Sequence, residues 1–421
     1  PLGDTLGVRV AGYYLKRDGF TKNLYTGNSI DGRDQFDVRG SIRWEPSSDT
    51  KLDIVGHYFR EKDNRSRIQK QLCHRDPTGV LGCLPDRLEF GQLNGDATLA
   101  SILTSREFLS VAAPGLVPFA LGSVYGADGD VYSGFTNPAN RRAVNIDSEP
   151  TFFTQERQVL VNFEQNLGKV ELKLSGGYTE GSTDSSVDYN LAVERSLATN
   201  VGLNTLNAVG SVPGSAFAAL RAALIPNGPA GNLCQSLAEP TGTGVYGGQA
   251  ICAPTSLDFD RSNASSKQYT GEAILETKFD GAFNFLLGGV YLNNKVRDNS
   301  YYVNSFALDY AAGILGAGAT GGLAYLGTPF YRNNSDTFRL KSYGLFGEGY
   351  ATLSDRIKLT IGLRYNHDEK FVSARTTLFS DAKTRTLLDA MGGTLLDAEG
   401  HSITVSNSTS AVVPFGATNF T

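Results

Sequence analysis

Hydrophobic and polar residues alternate along several long stretches of this chain, as they do in β-strands that meet an apolar environment on one face. The first clear stretch places five apolar or small residues on one face: Phe36, Val38, Gly40, Ile42 and Trp44. Charged and polar residues occupy the alternate positions. Turn residues follow at 46–49, and the alternation resumes over 52–58. The pattern therefore predicts a β-hairpin with one apolar face.

The same unit recurs three times, at about 152–180, 267–297 and 338–372, each time around a short turn. The turns are placed at 166–169, 280–281 and 354–355, and Asp280-Gly281 is a strong hairpin signal. We expect nine strands between Leu6 and Phe371, with one more near the C-terminus. Several of these runs exceed ten residues, which is longer than the usual strand of about 5 to 6 residues in water-soluble domains.

Long segments rich in Gly, Ala, Ser, Asn and Pro separate the hairpins, at about 64–150, 181–265, 298–336 and from 373 onward. Every short turn then falls at one end of the hairpins and every long loop at the other, the asymmetry of an outer-membrane β-barrel. The apolar rows would face lipid, and the polar rows would line a wet interior. A large water-soluble β-sandwich would show the same alternation, but it would not explain one-sided loop lengths.

Aromatic residues support this orientation, because outer-membrane barrels carry aromatic girdles at both membrane interfaces. The residues expected in these girdles, near strand ends, are Trp44, Tyr58, Tyr178, Tyr291 and Tyr365.

Composition agrees with a β-rich chain. Among 421 residues there are 48 Gly, 19 Tyr and 23 Phe but one Met and one Trp, and only 19% are charged. This profile disfavours a helical protein. A net charge of −5 without any basic run argues against a nucleic-acid partner. Since no apolar run approaches the roughly 18 residues of a membrane-spanning helix, a helical membrane protein is excluded.

The four cysteines form two local pairs, and both pairs lie in the long loops. We expect disulfides between Cys73 and Cys83 and between Cys234 and Cys252, which favours an oxidising compartment. A metal site is the alternative, but it needs clustered Cys and His ligands, and only His74 accompanies the first pair.

Signals of enzyme chemistry are weak. The chain has no Ser/His/Asp or Cys/His constellation at motif spacing and no phosphate-binding loop. Glu272 and Glu276 are expected to be charges on the lumen face rather than a glycosidase pair. The four histidines, His57, His74, His367 and His401, are expected to be structural or solvated. The Gly-rich run 313–322 lacks the lysine of a nucleotide loop and is expected to be a flexible loop. We therefore predict no catalytic, cofactor-binding or metal-binding residues, and the substrate-binding residues are not identifiable from sequence.

Particular stretches resemble the barrel of TonB-dependent receptors. Residues 359–370 read LTIGLRYNHDEK, close to the family's mid-barrel hairpin pattern LT.GLRY..DEK, and residues 342–350 before them read SYGLFGEGY. Three further stretches look like successive barrel strands of that family: GYYLKRDGF at 12–20, RGSIRWEP at 39–46 and FLLGGVY at 285–291. The resemblance covers strands throughout the chain but not the loops.

This resemblance implies an all-β, antiparallel transmembrane barrel of about 22 strands, of which this chain supplies nine or ten. Residues 1–421 would be an internal part of one barrel domain, with the N-terminal plug domain and the C-terminal strands outside the sequence. The chain begins PLGDTLGVRV, without an initiator Met or a signal peptide.

The implied function is not enzymatic. It is uptake of a scarce solute, such as a siderophore, vitamin or carbohydrate, across the bacterial outer membrane with energy from TonB. The expected partners are outer-membrane lipid, the TonB complex acting through the plug, and the small solute. Two alternatives stay open: a passive porin or adhesin-like barrel, and an extracellular all-β lectin or enzyme.

Overall fold

The computed structural model describes residues 2–68, 72–94, 98–125, 135–235, 251–320, 331–377 and 418–420. One antiparallel sheet of ten strands forms a wall, and the long connections fold at one end of it. The strands, in chain order, are β1 (Leu6–Arg17), β2 (Thr21–Asn23), β3 (Ser29–Ile30), β4 (Arg33–Ser47), β5 (Thr50–Asp63), β6 (His74–Arg75), β7 (Cys83–Leu84), β8 (Ala143–Val144), β9 (Thr151–Asn166), β10 (Val170–Asp188), β11 (Leu233–Gln235), β12 (Ile251–Ala253), β13 (Phe259–Thr277), β14 (Phe283–Asn304), β15 (Tyr331–Ser354), β16 (Ile357–Thr377) and β17 (Thr418–Phe420). The helices are α1 (Leu99–Leu103), α2 (Arg106–Ala112), α3 (Val201–Gly210), α4 (Ala218–Leu224) and α5 (Phe306–Thr320), with a 3₁₀ helix over Pro114–Phe119.

The large sheet has the order β1-β4-β5-β9-β10-β13-β14-β15-β16-β17, so every strand pairs with the next long strand in the chain. This confirms the expectation of nine long strands and a short tenth. The sheet is not closed within the described residues, and β1 and β17 lie at its two edges. The other sheets of the described residues have only two or three short strands, so no second large layer packs on the wall as a sandwich would require.

Short turns lie at one end of the wall, at residues 48–49, 167–169, 278–282 and 355–356. All the long connections leave from the opposite end, as predicted. The loops are shorter than expected, because β10 continues to Asp188, β13 begins at Phe259, and β14 continues to Asn304. These polar strand ends continue the backbone pairing, with one register shift between Asn263 and Ser265 on β13, but without apolar alternation, which is why the hydrophobic pattern did not reveal them.

The two faces of the wall differ in chemistry. Exposed large apolar residues of β13 to β16 share one face, the apolar face, and include Tyr269, Leu287, Leu345, Ile361 and Leu363. The other face, the polar face, carries ion pairs between adjacent strands, such as Arg43 with Asp53 and Lys173 with Glu276. This is the arrangement of a barrel wall with lipid outside and water inside.

Tyrosines mark a continuous level on the apolar face. Tyr178 lies opposite Tyr269 with ring centroids 5.0 Å apart, and Tyr291 lies opposite Tyr343. Tyr269 is paired with Asn293, and Tyr291 lies two residues closer to the short turns on the same strand. Tyr343 is paired with His367, and Tyr365 again lies two residues closer to the short turns. A level that descends through the register is what strands tilted to the membrane normal require, because a register row runs perpendicular to the strands. The predicted girdle residues Tyr178, Tyr291 and Tyr365 belong to this level.

Helices in the long connections were not expected from the sequence. Side-chain oxygens of Thr98, Ser105 and Asn200 cap α1, α2 and α3, accepting hydrogen bonds from backbone N–H groups at 3.2, 3.0 and 2.8 Å, respectively. The expectation of a flexible glycine loop at 313–322 is wrong for residues 313–320, which belong to α5, while 321–322 lie outside the described residues. A Cβ on Gly313 would overlap Leu220 Cδ1, so glycine here allows close packing of α5 on α4.

Candidate functional site

The long connections fold together into a cap at the loop end of the wall. Its core brings together residues from α2, the 3₁₀ helix, α3, α4 and α5; its largest fully buried side chains include Leu109, Leu203, Leu220, Phe306 and Tyr310. The Tyr310 hydroxyl donates a hydrogen bond of 2.7 Å to the Phe119 carbonyl oxygen, which joins two connections that are 191 residues apart. Because the buried hydroxyl needs this hydrogen-bond partner, the contact fixes the relative position of the two connections.

Each of two connections also has its own disulfide. Cys73 is bonded to Cys83 with Cα atoms 5.2 Å apart, and Cys234 is bonded to Cys252 across the β11–β12 pair with Cα atoms 4.0 Å apart. The structure therefore has the local pairing that the spacing favoured.

A cavity of about 300 Å³ lies between the loop-end strands β2, β3 and β8 and the connections beside them. Phe20, Ile30, Phe90 and Ile146 supply much of its apolar lining, and Arg141 is its cationic side chain. Asp31 also lines it, but its two oxygens accept hydrogen bonds from the Ser66 N–H at 3.1 Å and the Thr21 hydroxyl at 2.5 Å. An apolar cavity with one cation suits a small solute that combines aromatic or aliphatic parts with negative charge.

Three carboxylates interact beside the cap: Asp147 from the connection before β9, Asp188 at the loop end of β10, and Asp258 directly before β13. Asp188 is only 1% exposed, and its Oδ1 accepts hydrogen bonds from the backbone N–H groups of Asn190 and Leu191 at 3.0 and 2.7 Å. Burial raises the pKa of Asp147 to about 6, and the charge of Asp258 adds to that shift. Burial together with the charge of Asp147 raises the pKa of Asp188 well above the usual aspartate range. Asp147 and Asp188 therefore hold a proton more tightly than exposed aspartates do.

The cluster is not a metal centre by its geometry. Within the part of the chain that the structure describes, no three His, Cys, Asp or Glu side chains are grouped so as to hold a metal ion.

Below the cap, the polar face forms a charged lining rather than a reaction centre. Lys173 Nζ lies 2.9 Å from Glu276 Oε2, and the Ser175 hydroxyl lies 3.5 Å from Glu272 Oε2. The interpretation of Glu272 and Glu276 as face charges agrees with these contacts.

The histidines are separated in the structure. His57 Nε2 lies 2.7 Å from Asp37 Oδ2 on the polar face, and His74 Nδ1 lies 2.5 Å from Asp86 Oδ1 in a connection. His367 stacks on Tyr343 with ring centroids 5.0 Å apart on the apolar face. These three have structural contacts, as expected, and His401 lies outside the described residues.

Sequence reasoning missed the capped helices, the cavity and the carboxylate cluster. The three aspartates are 41 and 70 residues apart in sequence, so no motif spacing connects them. The N-caps before short apolar runs were the one local signal that could have revealed the helices. Among the described residues, no helix is both long and apolar enough to cross a membrane.

Comparisons with known proteins gave matches among solved structures only; no protein-family model and no curated protein sequence matches this chain. The ferric yersiniabactin uptake receptor FyuA from Yersinia pestis matches 90% of this chain over 37% of its own length, with 8% identity and a TM-score of 0.43. The ferric-catecholate import receptor Fiu from E. coli K12 matches 100% over 42% of its length, with 9% identity and a TM-score of 0.41. BauA, the ferric preacinetobactin receptor from Acinetobacter baumannii, matches 89% over 40%, with 10% identity and a TM-score of 0.37.

The chain thus spans about two-fifths of the length of these solved chains. Likenesses at this level do not carry the function of those proteins over to this one. The fold stands on the chain's own features: ten antiparallel strands, one apolar and one polar face, a tilted aromatic level and one-sided connections. These are the features of an outer-membrane β-barrel wall.

Proposed function

We propose that this chain is the capturing part of an outer-membrane receptor that takes up a scarce solute with energy supplied through TonB. The cap binds the solute on the outside, and the polar face of the wall then lines its route inward. In this proposal, TonB acts on the receptor through its plug domain.

The observation that carries the proposal is the folded cap with its cavity at the loop end of the wall. A passive pore needs an open mouth, whereas here four α-helices and the 3₁₀ helix share an apolar core, and two disulfides also order the connections. Ordered loops lose less conformational entropy when they bind a solute, and this favours capture at low concentration.

The test measures binding and uptake separately in cells that make the full-length protein. Radiolabelled ferric siderophores, cobalamin and oligosaccharides are offered as a panel, with and without an uncoupler that removes the proton-motive force, and in cells without TonB. We expect at least one solute to bind in all three conditions and to enter only when energy and TonB are both present. Uptake that continues without TonB would refute energised transport and support the passive porin alternative.

A matched pair of variants tests the cavity. Arg141 lines it, whereas its neighbour Arg142 does not. We expect Arg141→Gln to weaken binding of an anionic solute by about tenfold to 150-fold, since a hydrogen bond to a charged group contributes about 1.5 to 3 kcal/mol. Arg142→Gln removes the same charge and should bind like the unsubstituted protein. Equal effects of the two substitutions would show that the cavity is not the binding site.

A further inference from the structure

Three cations lie side by side across neighbouring strands on the apolar face. Lys267 on β13 is directly opposite Lys295 on β14, and Lys295 is directly opposite Arg339 on β15. Adjacent strands are about 4.8 Å apart, so the three side chains start within about 10 Å of one another. Arg297 follows on the same face of β14, two residues beyond Lys295.

Like charges placed directly opposite each other destabilise a strand pair unless something neutralises them. Glu180 neutralises one end of this row, because its Oε1 lies 2.9 Å from Lys267 Nζ. The same carboxylate also lies 3.7 Å from Arg157 Nη1, so its charge is shared. Within the described chain, Lys295, Arg297 and Arg339 form no ion pair. The centre of the row therefore has positive charge without a protein counter-ion.

The position of the row relative to the membrane is fixed by the aromatic level. Lys267 lies two residues beyond Tyr269, and Lys295 and Arg339 each lie four residues beyond the tyrosines of their own strands, on the loop side. Two residues of a strand span about 7 Å, so the row lies about 7 to 13 Å above the aromatic level. Aromatic girdles sit at the level of lipid headgroups, and long cationic side chains reach toward that level from nearby backbone.

A concave space accompanies the row. A cavity of about 420 Å³ on this face is lined by Lys267, Lys295, Arg297 and Arg339 together with Tyr269 and Asn293. No carboxylate lines it. Two carboxylates lie near it on the same face: Glu180, which is paired with Lys267, and Glu369, which lies opposite Lys341 and closer to the aromatic level.

We propose that this surface, the basic row, binds the phosphate groups of a phosphorylated lipid in the outer leaflet, whose acyl chains lie along the apolar face below. Charge complementarity supplies the attraction, and continuity with the lipid-facing surface selects a lipid over other anions. The inference rests on the membrane placement in the proposed function but not on solute uptake.

The test uses the full-length protein, extracted in detergent and reconstituted into phosphatidylcholine nanodiscs. The probe is a diphosphorylated glucosamine-based glycolipid, compared with the same glycolipid without phosphates and with inorganic phosphate alone. Bound lipid is counted by native mass spectrometry. We expect the phosphorylated glycolipid to bind, the form without phosphates to bind no better than phosphatidylcholine, and added NaCl to weaken binding.

Single variants locate the site. Lys295→Gln and Arg339→Gln should each lower the affinity about fivefold, the effect of one cation near an anionic surface. Lys358→Gln is the matched control, because it removes one positive charge from the polar face and should bind like the unsubstituted protein. Each variant is first checked for folding by heat-modifiable gel migration. If a variant does not fold, the proposal is tested instead by the salt dependence of lipid binding to the unsubstituted protein.

Equal binding of the two glycolipid forms, or an equal loss in Lys358→Gln, would overturn the proposal. Inorganic phosphate that displaces the lipid at equal concentration would do the same, because the surface would then be a free-anion site. Any of these three results with uptake intact leaves the proposed function standing. A protein that stays in water without detergent would overturn both.

Discussion

A charge introduced on the apolar face should have a different cost in a membrane barrel wall than in a water-exposed sheet. Ile361 is 61% exposed and lies midway along β16 between Ile357, beside the turn, and Tyr365, in the aromatic level. Its side chain points away from the polar face, and Gly349 lies opposite it. The substitution Ile361→Arg therefore places a charge at mid-depth on this face without displacing a neighbouring side chain.

The two environments give different magnitudes. In water, a substitution at a side chain this exposed changes the free energy of unfolding by about 0.5 kcal/mol or less. In lipid, an arginine at the bilayer midplane of a barrel costs about 2 to 4 kcal/mol. That corresponds to a change of about 30-fold to nearly 1,000-fold in the equilibrium constant. The difference between the two cases is well above the error of an unfolding curve.

The control is Thr360→Arg, one residue away on the polar face of the same strand. It introduces the same side chain with the same strand propensity, so it isolates the effect of the face. Both proteins are folded into phospholipid vesicles, and the folded fraction is measured across a guanidinium series from heat-modifiable gel migration. We expect Ile361→Arg to lose about 2 to 4 kcal/mol and Thr360→Arg to lose about 0.5 kcal/mol or less. Equal costs for the two variants would show that the apolar face does not meet lipid.

Three further predictions concern the cap. Peptide mapping without reductant should recover the two local disulfides defined above, and recovery of cross-loop pairs would contradict the structure. Replacing one cysteine of either pair by serine should lower the stability of the cap by about 3 kcal/mol. The raised pKa of Asp147 means that the folded cap binds a proton more tightly than the unfolded chain, so the stability contributed by this group is present at low pH and is lost as pH rises to about 6. Hydrogen exchange in the cap, corrected for the intrinsic effect of pH, should therefore be slower at low pH than at neutral pH. Asp147→Asn should reduce this difference, and an unchanged pH dependence in that variant would refute the assignment to Asp147. Tyr310→Phe removes the hydroxyl that donates to the Phe119 carbonyl and should cost the cap about 1 to 3 kcal/mol, measured by the same exchange, with Tyr25→Phe at a half-exposed site as the control.

The strand wall was predictable because its signal is local. Alternation in runs such as Val170–Tyr178 and Ile357–Tyr365 is dictated by the different solvents on the two faces, and turn residues such as Asp280-Gly281 terminate each run. Lipid contact also requires apolar side chains at every second position, so the number, order and pairing of the long strands follow directly. The loop-side extensions escaped prediction because water on both faces imposes no alternation.

The sequence by itself determined the class of fold, the apolar and polar faces, the side on which the long connections lie and the cysteine pairs close enough to join. Only the tertiary structure decided which distant residues meet: Tyr310 with Phe119, Asp147 with Asp188, and Lys295 with both Lys267 and Arg339. Local patterns record the solvent that each residue meets and the backbone angles it prefers. Contacts between connections depend instead on strand register and on loop closure over tens of residues, which no local pattern records.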